Sequence, residues 1–181
     1  VVDQAGNMVA VTYTLNTNFG SGIVAAGTGI LLNNEMDDFS AKPGVPNAYG
    51  LVGGAANAVA AGKRPLSSMT PTLVLKDQQP WLVTGSPGGA RIITTVLQQI
   101  VNGIDFGMNP AEAAATVRFH HQWMPDELRV EKGFSPDTLH LLRQKGQNVV
   151  VKPAMGRTQT IQVQGQALWG YSDPRNPDGL T

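Results

Sequence analysis

Residues 81–101 read Trp81-Leu82-Val83-Thr84-Gly85-Ser86-Pro87-Gly88-Gly89-Ala90-Arg91-Ile92-Ile93-Thr94-Thr95-Val96-Leu97-Gln98-Gln99-Ile100-Val101, a strand-like run, a glycine turn and a helical repeat in succession. Ile92, Val96, Leu97, Ile100 and Val101 recur at helical spacing, and Asn102-Gly103 supplies a stop. Glycines at the turn let backbone amides approach a ligand where any side chain would obstruct them. The lysine and following hydroxyl of a phosphate-binding loop are missing, so an oxyanion formed in acyl transfer suits these amides better than phosphate. A tight strand-to-helix turn without a ligand explains the same residues.

Upstream of this unit, Thr72 to Lys76 and Trp81 to Thr84 flank Asp77-Gln78-Gln79-Pro80, which predicts a hairpin. Downstream, Asn109-Pro110-Ala111-Glu112 and Ser135-Pro136-Asp137 each put a capping side chain before a proline at the first helical position, and Gly146 stops the second helix. Strands are predicted at Leu128 to Glu131, Val149 to Lys152, Thr158 to Gln164 and Ala167 to Tyr171, as antiparallel strands alternating with paired helices. Near the start, Asn7 to Asn16 alternates Val9, Val11, Tyr13 and Leu15 with Ala10, Thr12, Thr14 and Asn16, which predicts a strand with one polar face. A short run from Gly29 to Leu32 predicts another, entering the polar turn Asn33-Asn34-Glu35-Met36-Asp37-Asp38. Pro43, Gly44, Pro46, Gly50, Gly53, Gly54 and Gly62 exclude regular structure over most of residues 39–64, and so long a loop inside a domain is usually functional or disordered.

With 181 residues, 41% hydrophobic and 14% charged, the chain fits a single globular domain over residues 1–181. Thirteen basic residues balance thirteen acidic ones, so no global field favours nucleic acid or an anionic membrane. The lack of cysteine removes disulfides, thiolate nucleophiles and zinc-thiolate sites, leaving hydroxyls, carboxylates and three histidines for chemistry. No apolar run approaches the roughly 20 residues needed to span a bilayer. The chain opens at Val1-Val2-Asp3 directly into a strand-like pattern, so Val1 is read as an internal position of a longer protein.

Several polar groups could serve a site. Thr12, Thr14 and Asn16 share one face of the predicted first strand, where they could bond a nucleophile or substrate or simply pack against another layer. Glu35, Asp37 and Asp38 could receive a substrate ammonium, or form a solvated acidic turn; the alternating carboxylates and glycine of a calcium loop are absent. Ser67-Ser68, after Lys63-Arg64-Pro65-Leu66, could hold a carboxylate or be turn residues. His120-His121 with Asp126 invites a hydrolase or metal reading, but adjacent residues of an extended segment point to opposite faces and cannot chelate together, so a structural role is expected.

Taken in order, Val9-Ala10-Val11-Thr12-Tyr13-Thr14-Leu15-Asn16-Thr17, Gly29-Ile30-Leu31-Leu32-Asn33-Asn34-Glu35-Met36-Asp37-Asp38-Phe39, Lys63-Arg64-Pro65-Leu66-Ser67-Ser68-Met69 and Gly85-Ser86-Pro87-Gly88-Gly89 resemble the small catalytic subunit of bacterial gamma-glutamyltransferases. The likeness covers nearly the whole chain and continues through Arg118-Phe119-His120-His121-Gln122-Trp123 to Ser172-Asp173-Pro174-Arg175. It implies an α+β fold, the four-layer αββα sandwich of N-terminal-nucleophile hydrolases, completed by a large subunit cut from the same precursor. By the same resemblance, a new amino-terminal threonine just before Val1 is the nucleophile. Thr14 would orient it. Asn16, Glu35 and Asp38 would hold the α-amino group of a gamma-glutamyl substrate, Ser67 and Ser68 its α-carboxylate, and Gly88 and Gly89 would supply amides to the oxyanion. Some bacterial members carry glutamine at the position of Glu35, and either side chain accepts a hydrogen bond. The segment from Pro43 to Gly54, with Tyr49, resembles the family's lid over the glutamyl pocket. The implied reaction transfers the glutamyl group of glutathione or another gamma-glutamyl amide to water or to an amino acid or peptide acceptor, with no cofactor and no metal, in the periplasm or outside the cell. A cephalosporin or glutaryl acylase of the same superfamily and a non-catalytic binding subunit are the alternatives.

Overall fold

The computed structural model of the chain describes residues 1–179. They form two compact units, one made of residues 1–12 with 69–179 and the other of Tyr13–Ser68.

The first unit contains, in chain order, β1 (Thr72–Lys76), β2 (Gln79–Gly85), α1 (Ile92–Ile104), α2 (Pro110–Ala115), β3 (Phe119–His120), β4 (Leu128–Glu131), α3 (Pro136–Gln144), β5 (Val149–Lys152), β6 (Gln159–Gln164) and β7 (Ala167–Ser172). One sheet has the order β1-β2-β6-β7 with every neighbour antiparallel, and the other has the order β3-β4-β5. The β1–β2 hairpin closes at the pair Lys76↔Gln79 through Asp77 and Gln78, which take φ of 52° and 63°. Positive φ at both turn residues matches the right-handed twist of the flanking strands. Leu82 and Val83 of β2 and Ile92 and Val96 of α1 are buried, as are Ala113 and Ala114 of α2. The inner face of the helix is part polar, because Thr95 and Gln99 are buried with them. Thr84 of β2 and Thr160 of β6 pair across the sheet and share a hydrogen bond of 2.9 Å between buried hydroxyls.

Both predicted caps form. Asn109 accepts from the N–H groups of Ala111 and Glu112 at 2.9 and 3.0 Å, and the Glu112 carboxylate accepts from Asn109 N–H at 2.9 Å, a complete capping box. Ser135 Oγ accepts from Thr138 N–H at 3.2 Å at the start of α3.

Four expectations are corrected. β4 and β5 pair in parallel, with α3 as the crossover, so this part is a βαβ unit and not an antiparallel pair. Helix α1 continues through Gly103 to Ile104, because the bare glycine surface receives the Trp81 ring, 3.3 Å from where a Cβ would stand. Residues 7–16 form no strand. Their one ladder contact is the bridge Val2↔Met8, and Val9, Val11 and Tyr13 are 54%, 78% and 83% exposed. Thr12 Oγ1 lies 3.5 Å from where a Cβ on Gly85 would stand, but β2 already has a strand on each side and cannot accept a third. Gly29 to Leu32 is likewise a ribbon with the single bridge Val24↔Leu31. There the Thr28 hydroxyl donates to Ala25 O and accepts from Ile30 N–H, replacing ladder bonds with side-chain bonds.

A buried charge quartet ties the first unit together. Arg118 Nη2 meets Asp173 Oδ2 at 2.5 Å, and Arg175 bonds Glu131 through both Nε and Nη2 and Asp173 Oδ1 through Nη1. Burial pushes against ionisation of Asp173, but the N–H groups of Arg175 and Thr158 and the Arg118 guanidinium outweigh it and hold the carboxyl below its ordinary range. Further donors reach backbone carbonyls: Arg118 donates to those of Met155 and Ala114, and Arg175 to those of Ala114 and Thr116.

Two substitutions probe this architecture. Asp173→Ala leaves the Arg118 guanidinium buried without its carboxylate and is expected to cost roughly 3–5 kcal/mol in urea unfolding of the complete protein. A loss under about 1 kcal/mol would show that solvent reaches the cluster. Gln78→Gly relieves an L-residue held at positive φ and is expected to raise stability by about 0.5–1 kcal/mol, read as a higher urea midpoint at unchanged slope.

Candidate active site

In the second unit, Asn16, Thr14 and the acidic turn are knit by backbone and side-chain bonds. Asn16 sits at φ 75°, a conformation asparagine tolerates better than most residues. Its N–H donates to Thr14 Oγ1 at 2.8 Å and its Nδ2 to Asn34 O at 3.0 Å. The Asn34 N–H donates in turn to Leu15 O at 3.1 Å. Thr14 thereby accepts one bond and keeps its own hydroxyl proton for another partner.

Glu35 to Asp38 form a single 3-10 turn, begun by a bond from Glu35 N–H to Asn33 Oδ1 at 3.0 Å. The Glu35 and Asp38 carboxyls lie close enough to act on each other's ionisation. Desolvation raises both carboxyls above their ordinary values; the Asp38 charge adds to this at Glu35, and the Asp37 charge adds to it at Asp38. Such a pair holds a proton readily, and an incoming ammonium can take that proton's place.

Asn57, which the sequence reading passed over, joins the acidic turn to the serine segment. Its Nδ2 donates to Asp38 O at 2.7 Å and its Oδ1 accepts from Leu66 N–H at 2.9 Å, directly before Ser67 and Ser68. One amide side chain therefore sets the spacing between the carboxylates and the two serines. Ser67 is exposed and Ser68 half-buried.

Tyr49 lies in an arch of residues 44–53, closed by the bond from Gly44 N–H to Gly53 O and the bridge Pro46↔Val52. Asn47 Oδ1 accepts from both Tyr49 and Leu51 N–H at 3.0 Å, and the Tyr49 hydroxyl donates to Asn16 O at 2.8 Å. Asn16, Thr17, Asn18, Phe19, Ala48 and Tyr49 line a recess of about 450 Å³. The segment expected to lack regular structure is thus ordered by asparagine side chains.

In the first unit, Gly88 and Gly89 stand between β2 and α1 at φ 145° and 59°, a region that L side chains rarely adopt. Among the described residues neither N–H donates to a backbone carbonyl. The histidines separate as expected. His120 is buried, with Nδ1 at 2.8 Å from Thr94 Oγ1 and Nε2 at 2.9 Å from Gln122 Oε1, and burial pushes its imidazole below the ordinary value. His121 instead meets Asp126 at 3.1 Å.

A family model described as Gamma-glutamyltranspeptidase matches residues 1–181. The chain belongs to the gamma-glutamyltranspeptidase family. All of it aligns, at 71% identity over 182 residues, with the glutathione hydrolase proenzyme of Escherichia coli (strain K12), of which it spans 31%. It is similar to the solved chain of a Helicobacter pylori gamma-glutamyltranspeptidase mutant, at 57% identity and a TM-score of 0.95, over 97% of each chain. Against gamma-glutamyltranspeptidase from Pseudomonas nitroreducens complexed with L-DON, the identity is 45% and the TM-score 0.94, over 100% of this chain and 95% of the other. The α+β fold of N-terminal-nucleophile hydrolases expected for this chain is therefore its fold. No helix among the described residues is long and apolar enough to cross a membrane.

The acidic pair yields a pH prediction. A carboxyl raised in the folded state contributes stability that is fully present below its unfolded value and lost as pH rises through the folded value. Glu35→Gln removes that loss, so the variant is expected to melt above wild type at neutral pH. The gain should vanish below the ordinary glutamate value of 4.5. A gain that stays constant down to acid pH would exclude the cost of ionising the partly desolvated Glu35 carboxyl as its cause.

Proposed function

We propose that this chain is the catalytic part of a self-processed gamma-glutamyltransferase that also acts as a glutathione hydrolase, working as a heterodimer with a large subunit from the same precursor. The enzyme moves the glutamyl group of glutathione and related gamma-glutamyl amides to water or to amino acid and peptide acceptors. The nucleophile is a threonine upstream of Val1, activated by its own terminal amine. Family membership and the 31% share of the E. coli proenzyme support the larger partner.

The observation that carries the reading is the second unit's polar frame. Asn16 is bonded to the backbone of the acidic turn, and Asn57 holds that turn to the chain just before Ser67 and Ser68. Asn16, Glu35 and Asp38 receive the substrate's α-ammonium, and Ser67 and Ser68 its α-carboxylate. Tyr49 belongs to a lid that keeps water from the glutamyl group. Thr14 donates its free proton to the threonine oxygen and orients it for attack on the gamma carbonyl.

As the threonine oxygen bonds to that carbon, its proton passes to the terminal amine and the carbonyl electrons move onto oxygen. The N–H groups of Gly88 and Gly89 stabilise that charge. Collapse expels the amine with the proton and leaves a glutamyl ester, which water or an acceptor amine then cleaves. The scheme calls for no metal or organic cofactor. On family grounds we assign the enzyme to the periplasm or the exterior.

The test uses the complete, self-processed protein with its small-subunit terminus verified by intact mass. Turnover of a gamma-glutamyl anilide without turnover of a glutaryl side-chain substrate supports the transferase; the reverse supports an acylase, and no turnover of either supports a binding subunit. Asp38→Ala is expected to lower kcat/KM by roughly 2–4 kcal/mol, mainly through KM, because a charged acceptor for the ammonium is lost. Unchanged kinetics would remove Asp38 from the site.

A further inference from the structure

The glycine pair is backed by a hydroxyl that the scheme above does not use. Ser86 is 3% exposed; its Oγ donates to the Pro87 carbonyl oxygen at 2.8 Å and accepts from Arg157 N–H at 2.9 Å. Because the Pro87–Gly88 peptide is trans and planar, its C=O and N–H point in opposite directions. Turning the Pro87 oxygen inward to a buried hydroxyl therefore turns the Gly88 N–H outward. The next peptide follows the same logic: Gly88 O accepts from Arg91 N–H at 3.3 Å, which directs the Gly89 N–H away from the helix.

The slot around Ser86 is closed from behind. A Cβ on Gly156 would stand 2.9 Å from Ser86 Oγ and 2.8 Å from Thr95 Oγ1. The segment carrying Gly156 and Arg157 is itself fixed on both sides. Met155 N–H donates to Glu131 at 2.7 Å and Thr158 N–H to Asp173 at 2.8 Å, both members of the charge quartet. The Arg157 N–H that holds Ser86 thus lies between two residues bonded to the charge quartet.

We propose that Ser86 is a positioning residue of the transferase reaction: by holding the Pro87 carbonyl, it aims the Gly88 amide at the oxyanion. This rests on the reading of Gly88 and Gly89 as oxyanion donors. A serine that merely satisfied a turn would affect stability and leave the rate alone. A serine that aims an amide must affect the step in which charge develops.

The experiment compares Ser86→Ala with wild type in the complete self-processed enzyme, using a gamma-glutamyl anilide. Removing an oxyanion donor outright costs about 100- to 1000-fold in kcat, so misaiming one is expected to cost roughly 10- to 100-fold, with KM changed less than about threefold. Inhibition by a glutamate analogue with a tetrahedral gamma-phosphonate is expected to weaken in proportion to kcat, whereas that by glutamate is not. Thr95→Val changes the same buried slot without a bond to the loop and is expected to keep wild-type kcat. A kcat for Ser86→Ala within about twofold of wild type, a loss confined to KM, or an equal loss in Thr95→Val overturns the proposal. If Ser86→Ala does not mature, Ser86→Thr decides: it keeps the oxygen, so kcat near wild type is expected and a loss beyond about tenfold overturns the proposal. Absence of turnover by wild type itself would instead refute the gamma-glutamyl reading.

Discussion

The quartet of Arg118, Glu131, Asp173 and Arg175 is the constraint on which the first unit depends. Two guanidinium groups and two carboxylates balance to zero, and their donors also reach backbone carbonyls at Met155, Ala114 and Thr116. Burying four charges carries a large desolvation cost, and a well-packed apolar cluster of equal volume would hold the fold as firmly. What the charges add is direction. Each guanidinium has a fixed fork of donors, so α2, the strand carrying Glu131 and the segment after β7 can meet in one register only. Residues 153–158 have no regular structure of their own, yet their backbone is held by Glu131 and Asp173.

The second unit reaches order by another route. It has only two short 3-10 turns, at Glu35–Asp38 and Ala55–Asn57, and no named strand. Asparagine amides supply what a ladder would otherwise give. Asn34, Asn47 and Asn57 each bridge chain segments through backbone partners, so the long glycine- and proline-rich stretch is set by specific bonds and not by apolar packing. Its buried side chains are few, Phe39 and Ser40 among them. A frame of this kind leaves polar atoms facing outward at fixed separations, which suits recognition of a small zwitterion better than recognition of an apolar group.

Local signals were legible in the sequence. The β1–β2 hairpin, the capping box at Asn109, the cap at Ser135 and the strand-glycine-helix unit around Gly88 all form where the residues predict them. Pairing was less legible. Alternation from Val9 to Tyr13 specifies two faces but names no partner, and β2 is flanked already. The parallel pairing of Leu128–Glu131 with Val149–Lys152 depends on α3 acting as a crossover, which neither strand encodes. On α1 the apolar residues at helical spacing include Leu97, yet it is 55% exposed while Thr95 and Gln99 are buried. Apolar spacing marks the stripe of a helix, but the layer opposite decides which edge is covered. Asn57 was missed for a related reason: an asparagine in a loop carries no pattern until its two partners are known.

The proposed roles differ in the same way. The groups we assign to recognise a charge, Glu35 and Asp38, sit in a turn where they are partly desolvated, an environment suited to exchanging a proton for an ammonium. The groups we assign to meet a charge only as it forms, Gly88 and Gly89, are backbone amides with no side-chain rotamers to order. An amide is aimed by its own peptide plane, and the atom that can set that plane without entering the site is the carbonyl on its far side. Binding groups can therefore be carried by flexible side chains on a loop-rich frame. Amides that wait for a transient oxyanion need a rigid backing, and the bonds from Arg157 N–H through Ser86 to Pro87 supply one that runs back to the buried charges.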